Sequence, residues 1–462
     1  MTFEEIINNA SSPSEIVVAL QEKNISLPQW HGKDGLKTEY EPKEHPVMNK
    51  SIYPDIVKDG DVERVTRVTF DLQRLAVKRM TELCCGIPVK RIYKPENDKQ
   101  KEVAALLEAI YQRNRIDSVN IERLNMLFAS CEVATLWYAT DTPNNHYGRP
   151  SELKLRCRNF TPMNDDVLFP LFDEYGDMIA MSVAYRRKVG KKTVDFFDTY
   201  SEKRHMKFSN ASGEWEIIED EEITLLKIPA VYMYRSTPIW EDTSKIVYEM
   251  EWALSRNGNY LRKNSKPLFV VSSDEDVSYG GEKSSIKEFR AVLQLPKEAT
   301  ASYVTWTQAV DNLKFYINEL RAMFFTQLQL PDWSYEKMSQ QALSGESRKQ
   351  LFIDAQMKVK DESGRVLEFL DRETNVLKAF AKIILGEAYT QDIDALKVEN
   401  KITPFSISDN LENVNMLLAA NGGKAIMSQR ESIENFGYSD DVDRTFKEIT
   451  EEQEIDSFSL AQ

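Results

Sequence analysis

Apolar residues recur at three- and four-residue steps along two long stretches in the second half of the chain, and a polar segment separates the two stretches. The first stripe consists of Val310, Leu313, Ile317, Leu320, Phe324 and Leu328, and the second of Phe352, Ala355, Val359, Val366, Leu370, Leu377, Ala381 and Ile384. Such spacing places the apolar side chains on one face of a helix. We therefore predict two amphipathic helices joined by a loop at Leu330–Glu346. A connection of this length is usually functional or disordered.

The same period predicts four helices in the first 130 residues. They run from Ser12 to about Lys23, over Val62–Leu83, over Lys99–Gln112 and over Ser118–Ser130. The first opens on the capping box Ser12-Pro13-Ser14-Glu15 with proline at the first helical position, and Gly86-Ile87-Pro88 stops the second. Between them, His31–Ser51 is rich in Pro, Gly, Lys and Glu, which predicts a linker or arm.

Between Glu152 and Leu226 the period changes to two, the period of a strand with one buried face. The alternating segments are Leu153–Cys157, Met181–Arg187, Thr193–Tyr200, His205–Phe208 and Trp215–Ile218. Turn residues separate them, as at Gly190-Lys191-Lys192 and Ser209–Gly213. We expect an antiparallel meander here.

From Asp242 the helical period returns and continues to Lys263 despite Gly258, until Pro267 ends it. A β-prone piece at Leu268–Val271 and a segment at Ile286–Leu295 precede the first striped helix. The last 60 residues predict three more helices, at Leu411–Ala420, from the capping box at Ser428–Glu431 to Asn435, and at Asp440–Ile455. Helices and strands in this order make the chain α+β.

Composition indicates a globular protein of two or three domains: of 462 residues, 42% are apolar and 29% charged. No apolar run approaches the roughly 18 residues of a membrane span, and no secretion signal is recognisable at the start, so we expect no membrane association. The formal net charge of −15 argues against a protein that wraps nucleic acid, which would need a basic footprint. It is compatible with a surface past which DNA slides.

Few residues are arranged for chemistry. Cys84, Cys85, Cys131 and Cys157 form no CxxC pair, so we expect buried reduced thiols rather than a zinc site. Gly190-Lys191-Lys192-Thr193 has the tail of a phosphate-binding loop, but Ala184 occupies the place of its first glycine. Asp165-Asp166 and Asp440-Asp441 could hold Mg²⁺, although carboxylates before an element more often accept from free amides. No catalytic serine or cysteine motif is present, and we predict neither enzyme activity nor a cofactor.

Aromatic residues concentrate around the paired helices: Trp240, Tyr248, Trp252, Tyr260, Trp306, Tyr316 and Trp333. Core or interhelix packing is the favoured interpretation. A protein–protein interface is the sharper alternative, since Trp and Tyr are enriched in interface cores, and base stacking is a distant third.

The order of helix, β-containing excursion, second helix, polar loop and very long helix resembles the core of tailed-bacteriophage portal proteins, the siphophage head-to-tail connector type. Four local matches support this resemblance. They are the early helix from Leu72–Ala76 to the turn Gly86–Val89, the wing end Ile228–Val231, the Ser-Gly step in Leu343–Ser347, and the crown from Met427–Glu431 through Asp441–Glu452. The loop departs from the family because it holds Trp333, Tyr335 and two glutamines instead of a glycine-rich run.

The resemblance implies a portal fold with long amphipathic stem and wing helices, a β meander in the wing, a small β-containing clip and a helical crown. Its divisions would be an N-terminal arm (1–50), the wing (51–240), stem helix 1 (241–266), the clip (267–305), stem helix 2 (306–329), the tunnel loop (330–346), the long wing helix and its return (347–404), and the crown and C-terminal tail (405–462).

The function implied is that of a ring of about twelve subunits at one capsid vertex. The ring would form the channel for packaging and ejection of double-stranded DNA without sequence specificity. It would dock the terminase large subunit and a head–tail adaptor and contact the major capsid or scaffolding protein. Its place would be the virion, after assembly in the host cytoplasm. The charges of the subunits would sum to about −180 and limit DNA sticking.

Two groups of residues are candidates for these roles. The DNA-channel candidates are Lys337, Gln340, Gln341, Ser344, Arg262, Lys263 and Lys266, and the subunit-interface candidates are Trp252, Tyr260, Trp306 and Tyr316. For the basic residues, ordinary solvated surface is an equally good interpretation. Two other classes of protein stay open: an acidic helical scaffold or adaptor of non-viral origin, and a Mg²⁺-dependent nuclease that uses Asp165 and Asp166.

Overall fold

The computed structural model describes residues 2–23, 25–58, 60–263, 268–272, 279–280, 292–293, 300–304, 310–332, 353–404, 410–422, 425–437, 439 and 441–459. The helices are α1 (Phe3–Asn9), α2 (Pro13–Leu20), α3 (Leu36–Tyr40), α4 (Leu72–Cys85), α5 (Asp98–Arg113), α6 (Ile116–Ser130), α7 (Ser244–Lys263), α8 (Val310–Gln327), α9 (Ile353–Leu385), α10 (Thr390–Ala395), α11 (Asn410–Asn421), α12 (Gln429–Phe436) and α13 (Val442–Ser459).

The strands are β1 (Ile56–Lys58), β2 (Asp61–Glu63), β3 (Lys90–Lys94), β4 (Glu132–Asn144), β5 (Ser151–Phe160), β6 (Val167–Phe172), β7 (Met178–Val189), β8 (Lys192–Ser201), β9 (Arg204–Ser209), β10 (Glu216–Glu222), β11 (Ala230–Tyr234), β12 (Leu268–Ser272), β13 (Tyr279–Gly280), β14 (Val292–Leu293), β15 (Thr300–Val304) and β16 (Lys397–Lys401). The predicted segment Ile286–Leu295 lies largely outside the described residues. The predicted strand Leu268–Val271 is confirmed as β12, which pairs with β15.

The predicted meander is confirmed as a five-stranded antiparallel sheet in the order β10-β9-β8-β7-β6. Helices α1 and α2 cover one of its faces, where Phe3 and Val17 pack with Phe197 and Phe208. The side chain of Ser12 accepts from the amide of Glu15, as the capping motif predicts. The Glu15 carboxylate accepts from the amide of Ser11 rather than Ser12, so the capping box is only half formed.

The assignment of Leu153–Cys157 to the meander is wrong, because this segment lies in β5 of a separate three-stranded sheet with the order β11-β4-β5. Strand β4 was not predicted from the sequence, because the start of the strand lacks the period of two. Every residue from Glu132 to Trp137 is buried, so the run shows no alternation of apolar and polar side chains. Its sequence period therefore cannot distinguish it from the end of the preceding helix.

The interpretation of His31–Ser51 as a linker is also wrong. The segment contains α3, and Tyr40, His45 and Val47 are buried. The Nδ1 atom of His45 lies 2.7 Å from a carboxylate oxygen of Glu251 on α7, and its Nε2 lies 2.9 Å from the carbonyl oxygen of Glu39. Although its composition is polar, this segment is part of the folded body, and a buried imidazole joins it to the core.

The helix predicted over Val62–Leu83 begins only at Leu72, and residues 64–70, which we call the strap, have no regular secondary structure. One face of α7 supplies the hydrogen-bond partners that a helix would have supplied. The amides of Phe70, Val68 and Thr66 donate to Glu251 (2.8 Å), Ser255 (2.8 Å) and Asn259 (2.5 Å), respectively, and Arg262 donates to the carbonyl oxygen of Arg64. Alternate strap residues therefore bond to successive turns of α7.

Glycine at position 258 allows the strap to approach α7. A Cβ atom at Gly258 would lie 2.8 Å from Cγ2 of Thr66, closer than carbon atoms pack. The Thr66 side chain has little freedom to move, since it is β-branched and its hydroxyl accepts from Arg262 at 3.2 Å. The predicted helix through Gly258 is confirmed, and its glycine has a packing reason.

The long helix α9 is held in the main core by a buried ion pair. Arg123 on α6 donates to both carboxylate oxygens of Glu373 on α9, at 2.6 and 3.0 Å, and the indole of Trp137 on β4 donates to the same carboxylate at 3.0 Å. In the first half of α9, a Cβ at Gly364 would meet nothing within 4 Å, in agreement with a solvent-facing glycine.

The helices predicted near the C-terminus are confirmed as α11, α12 and α13. Ser428 and Glu431 form the complete capping box at the start of α12. The carboxylate of Asp441 accepts from the amide of Arg444 at 3.0 Å, so it caps the start of α13.

The strap contact yields a stability prediction. We expect Gly258→Ala to lower the free energy of unfolding, because the new methyl group collides with Thr66, although alanine normally favours a helix by about 1 kcal/mol. Gly364→Ala is the matched control and should raise stability by about that amount, since its position is open. Chemical denaturation measures both. Thr66→Ser, which removes Cγ2, should restore much of the loss in the Gly258→Ala background. Equal gains from the two glycine replacements would contradict this account.

Candidate functional site

Helices α7 and α8 pack against each other, and the beginning of α7 and the end of α8 are buried in the main core. Between the helices, the hydroxyl of Tyr316 donates to the carboxylate of Glu249 at 3.2 Å. Further along the predicted stripe, Ile317 and Leu320 pack against the main core, and Phe324 is fully buried in it. The stripe is therefore confirmed as a packing face.

The chain turns back into the core before the predicted loop leaves it. Gln329 ends α8 in the left-handed conformation, with φ of 53°. The amide of Leu330 then donates to the carbonyl oxygen of Phe325 at 3.0 Å, a common way to close a helix. Leu330 itself is buried. The first residues of the loop are thus part of the core.

The near end of the loop is fastened by two arginines. Arg79 on α4 donates to the carbonyl oxygen of Pro331 at 2.7 Å, and its guanidinium lies 4.6 Å from the ring centre of Phe325. Arg321 donates to both carboxylate oxygens of Asp332, at 3.1 and 3.2 Å. Bidentate, charge-assisted bonds of this kind are strong and fix direction as well as distance.

The first turns of α9 fasten the same place from the far end of the loop. The ammonium of Lys358 donates to the carbonyl oxygen of Leu328 at 2.5 Å, where α8 ends. Burial, reinforced by the positive charge of Arg235, lowers the pKa of Lys358 to about 8. Glu362, one turn further, accepts from Arg235 at 2.7 Å. We call residues 328–332 and their partners Arg79, Arg321 and Lys358 the loop root.

Most of the predicted DNA-channel residues cannot be located. Lys266, Lys337, Gln340, Gln341 and Ser344 lie outside the described residues, as does most of the predicted loop. The backbone of Lys263 is described as the last residue of α7.

Arg262 is the DNA-channel candidate whose side chain is described. It bonds to the strap at Arg64 and Thr66 and lies 4.0 Å from Glu63. The structure therefore brings this residue to the strap, and its role toward DNA stays a prediction.

The subunit-interface candidates contact their own chain where they are described. Trp252 meets the ring of Tyr53 edge-on at 4.9 Å, and Tyr316 bonds to Glu249. These contacts agree with the interhelix packing that we favoured for the aromatic residues. Tyr260 is half-buried on α7, Trp306 lies outside the described residues, and a role between subunits stays a prediction for all four.

Sequence reasoning missed the residues that position the loop. Arg79 lies 252 residues before its partner Pro331, and nothing in the local pattern distinguishes it from Arg74, the other arginine of α4. The contact between the strap and α7 is visible in the sequence of α7. Glu251, Ser255 and Asn259 recur every four residues and form a polar stripe on a helix that is otherwise expected to pack by apolar side chains. Gly258 beside that stripe indicates close approach of another segment.

Asp165 and Asp166 make separate contacts, and Asp440 of the second acidic pair lies outside the described residues. Asp166 is buried, which raises the pKa of its carboxyl group, and it accepts from the amide of Thr161 at 3.2 Å, whereas Asp165 is exposed and contacts His31 at 3.0 Å. Across the described part of the chain, no three His, Cys, Asp or Glu side chains are grouped for a metal ion. Within the described residues, nothing therefore supports a Mg²⁺ site at Asp165 and Asp166.

Two further expectations concern thiols and membranes. Cys84 and Cys131 are confirmed as buried free thiols, and burial raises the pKa of both. Within the described ranges, no helix combines the length and apolar character needed to cross a bilayer.

Comparison with known proteins gives one family match. The family model described as phage portal protein, SPP1 Gp6-like, matches residues 34–457. No curated protein matches the chain significantly.

The solved structures that are similar to the chain include two particle structures. "Neck of empty GTA particle computed with C6 symmetry" has a TM-score of 0.40 and 10% identity, over 91% of this chain and 98% of that chain. "Virion of native gene transfer agent (GTA) particle" has a TM-score of 0.37 and 11% identity, over 92% and 98%. At these TM-scores the structural likeness carries no argument, so the family match is the finding on which the assignment rests.

The loop root predicts a specific pH dependence. Since the pKa of Lys358 is about 8 in the folded chain and 10.5 in its ordinary state, the unfolded chain binds more protons between these values. Lys358 therefore makes stability rise with pH across this window. Lys358→Met should remove that rise, measured as the difference from wild type in denaturation curves taken from about pH 7 to 11. The exposed Lys360→Met is the control. A difference between Lys358→Met and wild type that is flat with pH would contradict the lowered pKa.

Proposed function

The chain belongs to the phage portal protein family of the SPP1 Gp6-like type, and we propose that it forms a ring at one vertex of a phage capsid. The family match over residues 34–457 carries this proposal. The same match favours a portal protein over a non-viral scaffold as the explanation of the long helices. The ring would serve as the channel for genome packaging and ejection and as the docking site for terminase and head–tail adaptor proteins.

The divisions of the portal fold can be assigned to the described elements as part of this proposal. Helices α7 and α8 would be the two stem helices, and the β12–β15 pair would belong to the clip. The two larger sheets would form the wing with α4–α6, and α9 would be the long wing helix. Helices α11–α13 would form the crown.

The loop root supports a mechanical role for the loop that follows it. Arg79 and Arg321 hold the chain where it leaves α8, and Lys358 ties the start of α9 to the same carbonyl end. A loop with both ends fixed at one place in the body is anchored relative to the ring, so it would meet passing DNA at a defined place along the channel.

Charge supports a channel that does not bind DNA tightly. Each subunit carries a formal charge of −15. A ring of about twelve subunits would therefore carry a formal charge on the order of −180, which would repel the phosphate backbone of DNA. Lys337 in the loop, with Gln340, Gln341 and Ser344, would then supply the local polar contacts.

The first experiment tests the ring. Native mass measurement and negative-stain imaging of the purified chain, with and without capsid partners, should find a closed ring with an axial hole. A monomer or dimer under all these conditions would contradict the proposed function.

A second experiment tests the loop. Deletion of Gln340–Leu343 should leave ring assembly intact and reduce DNA packaging or retention, because the deletion lies beyond the loop root. A Gly-Ser-Gly-Ser replacement of the same four residues separates loop length from side-chain chemistry. Packaging at the wild-type level in the deletion variant would exclude the assignment of this loop to the channel.

A further inference from the structure

Strands β7 and β8 extend beyond the five-stranded sheet as a two-stranded ribbon. Pairing of β6 with β7 ends at Ala184, and pairing of β9 with β8 ends at Phe196. Beyond these residues β7 and β8 pair with each other, from Arg186↔Asp195 to Val189↔Lys192. At the base of this ribbon, the amide of Asn210 also donates to the carbonyl oxygen of Asp195 at 3.0 Å. At about 3.4 Å per residue, the ribbon projects by roughly 10 Å.

The ribbon carries a concentrated positive charge. Within residues 186–192, five of seven side chains are basic and all are exposed: Arg186, Arg187, Lys188, Lys191 and Lys192. Arg186 is paired with Asp195 at 2.6 Å. For the other four, the described part of the chain offers no carboxylate within ion-pair distance. In a chain of net charge −15, this is a local field of opposite sign. The turn at Gly190, recognised from the sequence, explains the shape of the ribbon but not its concentration of basic residues.

The opposite charge lies on the edge strand β10 of the same sheet. All residues of Glu216–Glu222 are exposed, and five of the seven are acidic. Glu219 and Asp220 are paired with Lys207 and Arg204 of the neighbouring strand β9.

The remaining three acids of β10 are Glu216, Glu221 and Glu222, and among the described residues they have no cationic partner. Charge on an edge strand disfavours pairing with another strand. A protein that recognises this edge would therefore have to do so through opposite charge rather than through backbone hydrogen bonds.

The ribbon of one copy does not meet the acidic strand of its own copy. Pairing of β10 with β9 stops at Glu216↔Ser209, and Ser209 in turn faces Phe196, where the ribbon begins. The basic side chains project past this line, while Glu221 and Glu222 lie at the opposite end of β10. Among the described residues of the same chain, neither surface therefore finds its complement.

We propose that the basic ribbon of one copy docks on the acidic edge strand β10 of the next copy in the ring. This inference rests on the ring of the proposed function. A cyclic ring joins two different surfaces of the same chain, and these two surfaces are separate and of opposite charge. Double-stranded DNA is the other polyanion available to the ribbon, but the acidic strand β10 offers a surface of opposite charge on every neighbouring copy.

Two charge-reversal variants, and a third that combines them, test the contact between the ribbon and β10. The ribbon variant carries Lys188→Glu, Lys191→Glu and Lys192→Glu, and the edge variant carries Glu216→Lys, Glu221→Lys and Glu222→Lys. Each alone should reduce the fraction of ring at a fixed protein concentration and low salt by about ten-fold, since like charges would then face each other. Both sets in one chain should restore the ring, because the charges are again opposite.

The control changes the same net charge at dispersed exposed positions: Lys33→Glu, Lys43→Glu and Lys447→Glu. It should assemble like the wild type. The wild-type ring should also weaken as salt rises from about 50 to 500 mM, because exposed charge pairs are screened. This measurement needs no variant and so does not depend on the folding of one.

Several outcomes would overturn the inference. They are a ribbon variant that assembles normally, a combined variant that does not recover although both single sets are folded, and a wild-type ring insensitive to salt. A ribbon variant that forms rings but loses binding to a short DNA duplex in a gel-shift assay would assign the ribbon to DNA instead. A wild type without any ring would contradict the proposed function itself, which distinguishes the two failures.

Discussion

The arrangement of this molecule depends on the contacts of one buried carboxylate, that of Glu373. It is fully buried on α9, and it accepts from Arg123 on α6 and from Trp137 on β4. Removing two charges from water costs several kcal/mol each, and only well-aligned donors offset the cost. If α9 were displaced by one turn, both charges would be left buried and unpaired. The ion pair therefore selects one position of α9 among the many that its apolar stripe alone would allow.

Fixing α9 also fixes the loop root. Lys358 lies four turns before Glu373 on the same rigid helix, so the position of its ammonium against the carbonyl end of α8 follows from the position of the ion pair. Arg79 reaches the same point from α4. The helix pair is held independently by the strap along α7 and by the buried contact of His45 with Glu251. Forces on the pair or on the loop would thus pass into a body joined by buried polar contacts, which are directional where apolar packing is not.

The sequence predicted the fold well where one periodic face meets the core, as along α8, α9 and the meander of β7–β10. It failed where a segment is satisfied by a distant partner. Val65 and Val68 match a helical stripe, but their β-branched neighbours and the polar face of α7 favour the strap. The first part of strand β4, Glu132–Trp137, is buried on both faces and shows no period. The loop root was unpredictable for the same reason, since Arg79 and Pro331 lie 252 residues apart.

A strongly acidic chain and a basic ribbon are physically compatible because salt limits the reach of each charge. At physiological ionic strength the screening length is about 8 Å, and the ribbon projects by roughly 10 Å beyond the sheet. Its lysines are therefore largely shielded from the acids of their own body and respond to whatever lies at the tip. The acids distributed over the remaining surface would act differently in the proposed ring, since those that line its channel would lie around one axis and their potentials would add. In that ring, acidic residues would keep DNA unbound along the axis and recognise a neighbouring copy at the edge of a sheet.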